Sequence, residues 1–330
     1  MVDTVDNMGN SQEKREVDFT KLNLPRIAHN YFTKKYAGEY SVNDLNLLNG
    51  YVNYVLEQDN QNLPTYKVGL VFVCINQPYW QYAQPVIEGA KTFFLPGHDT
   101  EIMMWSDMPN YPEAKDVDYG ITIFPTESVQ WPYPTLMRYH LFLQQEEYLK
   151  KFDYVFYVDL DMRIVNVVGD EILGDGLTAA EHPMYSLRKE LYPPYEPNPN
   201  SEAYIPRPGK VVQEGNKQRF QPFYYAGGVQ GGKTEAFLDA MKEMKRMVDA
   251  DMANGYIPIW NDESVWNKYL YDHPPAVVLN PSYVYPDSMI EEYYKKVWGR
   301  DYPPKIITLT KPFTTSKEGG TAAAQMMQTM

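Results

Sequence analysis

Two aspartates, Asp159 and Asp161, directly follow the apolar run of residues 154–158. Residues at i and i+2 of a strand point to the same face, so this spacing would direct both carboxylates to one side. Neighbouring carboxylates repel each other unless a cation lies beside them, and hard divalent ions such as Mn²⁺ or Mg²⁺ prefer oxygen ligands. A pair of solvated loop aspartates is the alternative. The position at a strand's carboxyl end favours a metal site, because ligands of open α/β sheets bind there.

A second candidate site is the segment Trp260-Asn261-Asp262-Glu263-Ser264, in which an aromatic residue precedes two acids. An aromatic ring can pack on the apolar face of a sugar, while carboxylates accept hydrogen bonds from the sugar hydroxyls. A carboxylate can also stabilise or attack the oxocarbenium-like carbon of a sugar. The alternative is the first turn of a helix, where acidic residues interact favourably with the helix dipole.

Three further features have both a functional and a structural interpretation. Glycines at 227–228 and 231–232 would let a ligand approach the backbone closely, or they form an ordinary tight turn before a helix. His182 is either part of a site or a structural hydrogen-bonding residue. Arg138, on a predicted helix before the acidic pair, would reach a diphosphate or form a surface ion pair.

The composition excludes several classes of protein. The chain has 330 residues and a formal net charge of −13, which argues against a protein that coats nucleic acid. A single cysteine, Cys74, rules out an intrachain disulfide framework, and the five histidines lack zinc-motif spacing. No signal-peptide core and no run of the ~20 apolar residues that span a bilayer is present. We therefore expect a cytoplasmic protein without a membrane span.

The pattern of apolar residues predicts an α/β fold in which buried strands alternate with helices. The polar, proline-rich stretch 192–216 is typical of a functional loop or lid, and a strand-like segment follows at 221–225. Residues 1–18 and 313–330 lack periodicity and are expected to be mobile tails. In the first half, strands are expected at 68–75, 101–105, 120–124 and 152–158, and helices at 84–94 and 136–149.

Several segments, in one order and at nearly constant spacing, resemble the retaining α-1,3-galactosyl- and N-acetylgalactosaminyltransferases. This is glycosyltransferase family six, which includes the blood-group A and B enzymes. The resemblance is close from 131 to 287 and weaker from 68 onward. The matching segments are Phe156-Tyr157-Val158-Asp159-Leu160-Asp161, His182-Pro183, Ala203-Tyr204-Ile205-Pro206, Phe223-Tyr224-Tyr225-Ala226-Gly227-Gly228, Trp260-Asn261-Asp262-Glu263-Ser264, Asn267-Lys268-Tyr269-Leu270 and Asn280-Pro281-Ser282-Tyr283.

The resemblance implies a GT-A fold, with a Rossmann-like nucleotide-binding half and an acceptor-binding half on a mixed central sheet. One catalytic domain would cover residues 19–312. Its nucleotide-binding part would comprise about 66–165, and its acceptor-binding part about 166–290.

The resemblance also implies roles for individual residues. Asp159 and Asp161 would hold Mn²⁺, or Mg²⁺ instead, against the diphosphate of a UDP-sugar, and Trp131 would belong to a mobile loop that covers the donor. Many bacterial relatives have asparagines at the metal positions, so the retained aspartates predict metal dependence. Besides Asp159, the donor would contact Val73, Cys74, Ile75, Tyr79, Arg138, Ala226, Gly227, Gly228, Asp262, Lys305 and Lys311.

The implied reaction moves GalNAc or Gal from UDP-GalNAc or UDP-Gal to the 3-hydroxyl of a galactose-terminated oligosaccharide acceptor. Glu263 would be the catalytic residue at the reacting centre, and small residues at 226 and 228 favour the bulkier UDP-GalNAc. The acceptor side would comprise His182, Trp260, Glu263 and Asp287. Asn261 stands where the animal enzymes commonly have histidine. Asp287 lies one position away from the place where the family has an acidic acceptor contact. The resemblance therefore leaves the identity of the acceptor open.

Two other functions compete with this hypothesis. A phosphatase with a strand-end D-x-D nucleophile is disfavoured, because Met162 and Arg163 follow the second aspartate in place of a small residue and a threonine or valine. A glycan- or UDP-sugar-binding protein with weak catalysis on the same fold is the other alternative. Retention of Asp159, Asp161 and Glu263 argues against it.

Overall fold

The computed structural model describes Gly50, Tyr54 and residues 64–108, 120–185, 193–206, 210–214, 217–221, 223–287 and 302–309. The tails predicted at 1–18 and 313–330, and the candidate donor residue Lys311, lie outside the described residues.

Strands form a central sheet and two smaller ones. The strands are β1 Lys67–Cys74, β2 Asp99–Ser106, β3 Thr122–Pro125, β4 Tyr154–Val158, β5 Met162–Ile164, β6 Leu177–Glu181, β7 Lys210–Glu214, β8 Lys217–Gln221, β9 Tyr225–Lys233, β10 Val277–Leu279, β11 Tyr285–Pro286 and β12 Ile306–Thr308. Within the described residues, the central sheet has seven strands in the order β10-β6-β9-β4-β1-β2-β3, and β9 runs antiparallel to both of its neighbours. The two smaller sheets are β11-β12-β5 and the β7-β8 hairpin.

Helices cover both faces of the central sheet, which confirms the expected mixed α/β architecture. None of the described helices has the length and apolar character needed to cross a bilayer. The helices are α1 Gln77–Phe93, α2 Tyr133–Leu136, α3 Arg138–Gln144, α4 Glu146–Leu149, α5 Thr234–Ala253 and α6 Asp262–Asp272, with short 3₁₀ turns at Asp170–Ile172 and Pro281–Val284.

Side-chain alternation along β1 and β4 explains why two cores form. Leu70 and Phe156 belong to a cluster that includes Val86 and Phe93 of α1. Their neighbours on the strands face the other way, and Val71 belongs to a cluster with α3, α5 and α6. Successive strand residues point to opposite faces, so an apolar run without alternation must be covered on both sides.

Three predicted elements differ from the observed ones. The helix expected at 84–94 begins at Gln77, since Pro78 is tolerated in a first turn. The helix expected at 136–149 is divided into the short helices α2, α3 and α4. The stretch 192–216 is irregular in its described residues up to 206, but the β7-β8 hairpin begins at Lys210.

The glycines at 227–228 and 231–232 are part of β9, so the tight turn considered as one of two interpretations is wrong. They allow close packing between neighbouring strands. A Cβ atom added to Gly231 would lie 2.7 Å from the Val155 carbonyl oxygen and 2.2 Å from a ring carbon of Phe156. The strand expected at 221–225 differs as well. The strand of the central sheet begins at Tyr225 and continues through all four glycines.

Candidate active site

Asp159 and Asp161 lie in the turn that joins β4 to β5. The Met162 amide donates to the Asp159 carbonyl at 3.2 Å, so the strand's alternation ends before the aspartates and does not describe this pair. The Asp159 amide donates to the Gly228 carbonyl at 2.9 Å, and the Asp161 carbonyl accepts from Leu309 at 3.0 Å. The turn is thus held by β9 on one side and by the chain after β12 on the other.

Arg138 connects this turn to the start of α6. Its guanidinium is buried, with Nη2 lying 3.2 Å from Asp262 Oδ2 and Nη1 3.6 Å from Asp159 Oδ1. The Cζ atom lies 4.3 Å from the centre of the Tyr157 ring, and Nε donates to the Thr135 carbonyl at 2.9 Å. The surface ion pair considered as an alternative for Arg138 is therefore wrong.

The charge state and the hydrogen bonding of Arg138 both point toward a ligand. Burial acts to lower its pKa, but Asp262 and other neighbours outweigh this effect, so the pKa is raised and the group stays charged. Its Nη1 atom is buried and has no hydrogen-bond partner in the described part of the chain. A buried charged donor of this kind requires an acceptor, and a bound anion or hydroxyl would supply one.

Glu263 lies in the first turn of α6 and faces β9. Its Oε2 accepts a hydrogen bond from the Gly227 amide at 2.9 Å. Burial raises the pKa of Glu263 to about 7, although the Gly227 hydrogen bond acts to lower it. Burial likewise raises the pKa of the adjacent Asp262, while Arg138 opposes that rise. The alternative interpretation of this segment as the first turn of a helix is correct, because α6 begins at Asp262. The same turn also places Asp262 and Glu263 next to Gly227 of β9.

The chain enters α6 through a left-handed residue, Asn261, with φ of 49°. A positive φ is uncommon for a residue other than glycine. The reversal lets Trp260 precede the helix while Asp262 and Glu263 turn toward β9. Non-glycine residues in this region of backbone space are concentrated at functional sites.

The oxygen atoms of the two aspartates determine whether the pair could hold a divalent ion. Asp159 Oδ1 accepts from the Tyr157 hydroxyl and faces Arg138, whereas its Oδ2 has no hydrogen bond within the described residues. Within the described residues, no group of three or more His, Cys, Asp or Glu side chains could hold a metal ion. A two-carboxylate set still fits an ion that takes its other ligands from water and substrate phosphates, as Mg²⁺ commonly does.

On the predicted acceptor side, His182 and Trp260 are both partly buried. The His182 Nδ1 accepts from the Met184 amide at 3.2 Å, its ring packs against Tyr185, and burial lowers its pKa to about 4. The imidazole is therefore neutral at physiological pH. The Trp260 Nε1 is a buried donor without a partner among the described residues. Asp287 donates its amide to the Thr308 carbonyl at 3.1 Å.

Four of the predicted donor residues lie at the carboxyl end of β1 or shortly after it. Cys74 and Ile75 are buried, Val73 is half-buried, and Tyr79 follows on α1. Burial raises the pKa of Cys74 to about 12, so it is a neutral thiol.

Asn76, directly after β1, is a residue that sequence reasoning missed. Its amide donates to Asp107 Oδ2 at 2.9 Å, and its side chain donates to the Val129 carbonyl at 2.9 Å. These bonds connect the end of β1 to the end of β2 and to the loop that carries Trp131, whose side chain is 40% exposed. No short motif marks Asn76 in the sequence.

Lys305 does not lie with the aspartates. Its Nζ contacts Glu171 Oε1 and lies 5.3 Å from the centre of the Tyr283 ring. The residue that hydrogen-bonds to Asp161 is Leu309, four residues after Lys305. At the rise of a strand this separates the backbones of Lys305 and Leu309 by about 13 Å.

Asn267 is a second residue whose contribution the sequence did not reveal. It is buried on α6, where its Oδ1 accepts from the Tyr225 amide at 2.8 Å and its Nδ2 donates to the Tyr225 carbonyl at 2.8 Å. The same Nδ2 donates to the Glu263 carbonyl at 2.9 Å. Asn267 therefore fixes α6 to the beginning of β9, where Gly227 meets Glu263.

A mixed sheet with two aspartates after a central strand, a buried arginine beside them and acids on a facing helix defines a GT-A-type glycosyltransferase. The model of Glycosyltransferase family 6 matches residues 47–297. The chain belongs to this family, so the predicted family and the predicted GT-A fold are confirmed. Its general function is glycosyl transfer.

Curated relatives agree with this assignment. The chain is 29% identical over 249 residues to Histo-blood group ABO system transferase 1 of Rattus norvegicus, with 73% of this chain and 67% of that protein covered. It is 28% identical to Globoside alpha-1,3-N-acetylgalactosaminyltransferase 1 of Canis lupus familiaris, covering 67% of this chain and 61% of that protein. The chain thus spans about two thirds of the length of these relatives.

Proposed function

We propose that this chain is a retaining α-1,3-glycosyltransferase that transfers GalNAc from UDP-GalNAc to the 3-hydroxyl of a galactose-terminated glycan. UDP-Gal is the alternative donor. The observation that carries the proposal is the half-buried Glu263 carboxyl group, held by the Gly227 amide beside the Asp159–Arg138–Asp262 ion pairs. One of the relatives is named as an alpha-1,3-N-acetylgalactosaminyltransferase, which supports the linkage and the donor sugar.

In this proposal, Asp159 and Asp161 hold Mn²⁺, with Mg²⁺ as the alternative ion. The Asp159 Oδ2 atom, which has no hydrogen bond among the described residues, is available as a ligand. When bound, the ion supplies positive charge that stabilises a departing diphosphate.

Arg138 and Asp262 also bind the donor in this proposal. The Arg138 Nη1 donor, which has no hydrogen-bond partner among the described residues, hydrogen-bonds an oxygen of the UDP-sugar. Asp262 accepts from a sugar hydroxyl and keeps the Arg138 side chain in place through its 3.2 Å contact. Because the arginine is buried before substrate arrives, its charge is already oriented toward the developing negative charge.

Glu263 faces the anomeric carbon, where the bond to the UDP oxygen breaks and a bond to the acceptor's 3-oxygen forms. The carboxylate acts as a nucleophile or stabilises an ion-pair intermediate, and either pathway gives net retention. The proton of the acceptor hydroxyl passes to an oxygen of the departing UDP during the attack. His182 and Trp260 line the acceptor side, where the Trp260 indole supplies a donor without a protein partner among the described residues.

The preference for UDP-GalNAc rests on Ala226 rather than on Gly228. A Cβ atom added to Gly228 would lie 2.9 Å from Asp159 Oδ2 and 2.3 Å from Met162 Cε, so packing alone accounts for this glycine. Ala226 is buried in the apolar cluster on the α1 face of the sheet, and in this proposal its small side chain leaves room for a substituent at the 2-position of the donor sugar.

The test is release of UDP from UDP-GalNAc and UDP-Gal, with Mn²⁺ or with excess EDTA, in the presence of a β-galactoside acceptor. We expect Mn²⁺-dependent release that is faster with UDP-GalNAc. Binding of both donors without release would favour the catalytically weak binding protein. Full activity in EDTA would contradict the roles of Asp159 and Asp161.

A further inference from the structure

The loop between α5 and α6, residues 254–261, carries the proposed acceptor residue Trp260 yet has little support from regular structure. Its Ile257 and Ile259 side chains are 37% and 42% exposed. The Tyr256 amide donates to the Asp251 carbonyl at 2.9 Å, and the Asn261 amide donates to the Pro258 carbonyl at 2.9 Å. A loop of this kind keeps one conformation only if other parts of the chain satisfy its remaining backbone groups.

Glu196, in the irregular segment 193–206, supplies that support. Its residue exposure is 2%, and its Oε2 accepts from the Ile259 amide at 2.7 Å. Its Oε1 accepts from the Tyr256 hydroxyl at 2.6 Å and from the Asn198 amide at 2.8 Å. No Lys, Arg or His among the described residues forms an ion pair with it. A buried carboxylate is costly without such donors, so all three contacts fix its position.

The same segment is fixed to α5 at its other end. The buried Asp251 accepts from the Ser201 hydroxyl at 2.7 Å and from the Glu202 amide at 2.9 Å. Segment 193–206 therefore connects α5 to the loop through hydrogen bonds at both places. Glu196 is the residue of this segment that binds the Ile259 amide, directly before Trp260 in the sequence.

We propose that Glu196 is a positioning residue for the acceptor, which it controls by fixing the Ile259 peptide and hence the Trp260 side chain. The inference rests on the proposed function and names the part of the molecule that sets acceptor recognition. Stacking a galactose ring on an indole requires a fixed ring plane, and a displacement of about 1 Å is enough to weaken such a contact strongly. Donor binding uses Arg138 and the β4–β5 turn, which Glu196 does not touch.

Glu196→Gln tests this role with almost no change in volume. The amide oxygen of glutamine would take the position of Oε1, where two donors converge, and its NH₂ group would then face the Ile259 amide. Two donors cannot share a hydrogen bond, so the substitution selectively removes the contact to the Ile259 amide and keeps the one to Tyr256. Glu202→Gln is the matched control, because it changes the same type of side chain in the same segment at an exposed ion pair with Arg246.

The measurements are kcat and KM for a β-galactoside acceptor, together with acceptor-independent hydrolysis of the UDP-sugar. For Glu196→Gln we expect the acceptor KM to rise about tenfold, with donor hydrolysis within about twofold of the parent enzyme. Glu202→Gln should match the parent in both. An unchanged acceptor KM, or an equal loss in both reactions, overturns the inference.

If Glu196→Gln does not fold, Tyr256→Phe removes one donor to Glu196 without a change of charge. It should raise the acceptor KM about two- to threefold, and no rise overturns the inference. Absence of UDP release from the parent enzyme is a different result, because it refutes the proposed function itself.

Discussion

Replacing Glu263 with glutamine should make the protein more stable at alkaline pH while it abolishes turnover. The carboxyl group is buried against β9, and its pKa of about 7 lies above the ordinary 4.5. A raised pKa means that the folded state disfavours the charged form. Glutamine stays neutral, and its amide oxygen can still accept the hydrogen bond that Gly227 donates at 2.9 Å.

The size and the pH range of the effect follow from this pKa. The stability that the protonated Glu263 side chain contributes is fully present below pH 4.5 and is lost as the pH rises through 7. At ~1.4 kcal/mol per pKa unit the complete loss is about 3 kcal/mol. Glu263→Gln should therefore exceed the parent protein by up to about 3 kcal/mol at pH 8, and by less than about 1 kcal/mol at pH 5.

Urea unfolding of the metal-free protein at pH 5 and pH 8 measures this difference. The exposed Glu127→Gln serves as the control and should match the parent at both pH values. Equal urea midpoints for Glu263→Gln and the parent at pH 8 would refute the argument from burial. In the transfer assay, Glu263→Gln should lower kcat at least about 100-fold with little change in UDP binding. An unaffected kcat would remove Glu263 from the chemistry.

Three more substitutions address the metal, the donor and the packing of the site. Asp161→Asn should abolish Mn²⁺-stimulated UDP release, and stimulation equal to that of the parent would exclude Asp161 as a ligand. Ala226→Leu should shift the ratio of kcat/KM for UDP-GalNAc over UDP-Gal by about tenfold toward UDP-Gal, since the larger side chain opposes a 2-acetamido group; an unchanged ratio would contradict this position. Asn267→Asp removes the donor to the Tyr225 and Glu263 carbonyls and should cost about 1–3 kcal/mol in urea unfolding. Stability equal to the parent would show that these hydrogen bonds contribute little.

The sequence predicted those parts of the site that lie in short contiguous segments. Asp159 and Asp161 follow a strand in the sequence and in the structure, although a turn, rather than strand alternation, orients them. Asp262 and Glu263 were recognised because an aromatic residue and two acids stand together. Residue types at adjacent positions carry this information, and no tertiary contact is needed to read it.

Residues that act through distant partners could not be predicted in this way. Glu196 meets Ile259 across 63 positions, and Asn267 meets Tyr225 across 42. Neither separation corresponds to a helical or strand period, so no local pattern marks these contacts. The burial of Arg138 was missed for the same reason, because the two acids that surround it come from different elements.

The reversed direction of β9 affects how the protein can fold. Val158, at the end of β4, is paired with Val229 in the middle of β9, which completes the sheet beside the turn that carries Asp159 and Asp161. A fragment ending near residue 166 would contain the aspartates and Arg138 but would leave the apolar strand β4 with one unpaired edge. Exposed edges of this kind promote association between chains. The part of the chain that ends with this turn is therefore not expected to be separable, because the turn forms together with β9, the strand that contacts Glu263.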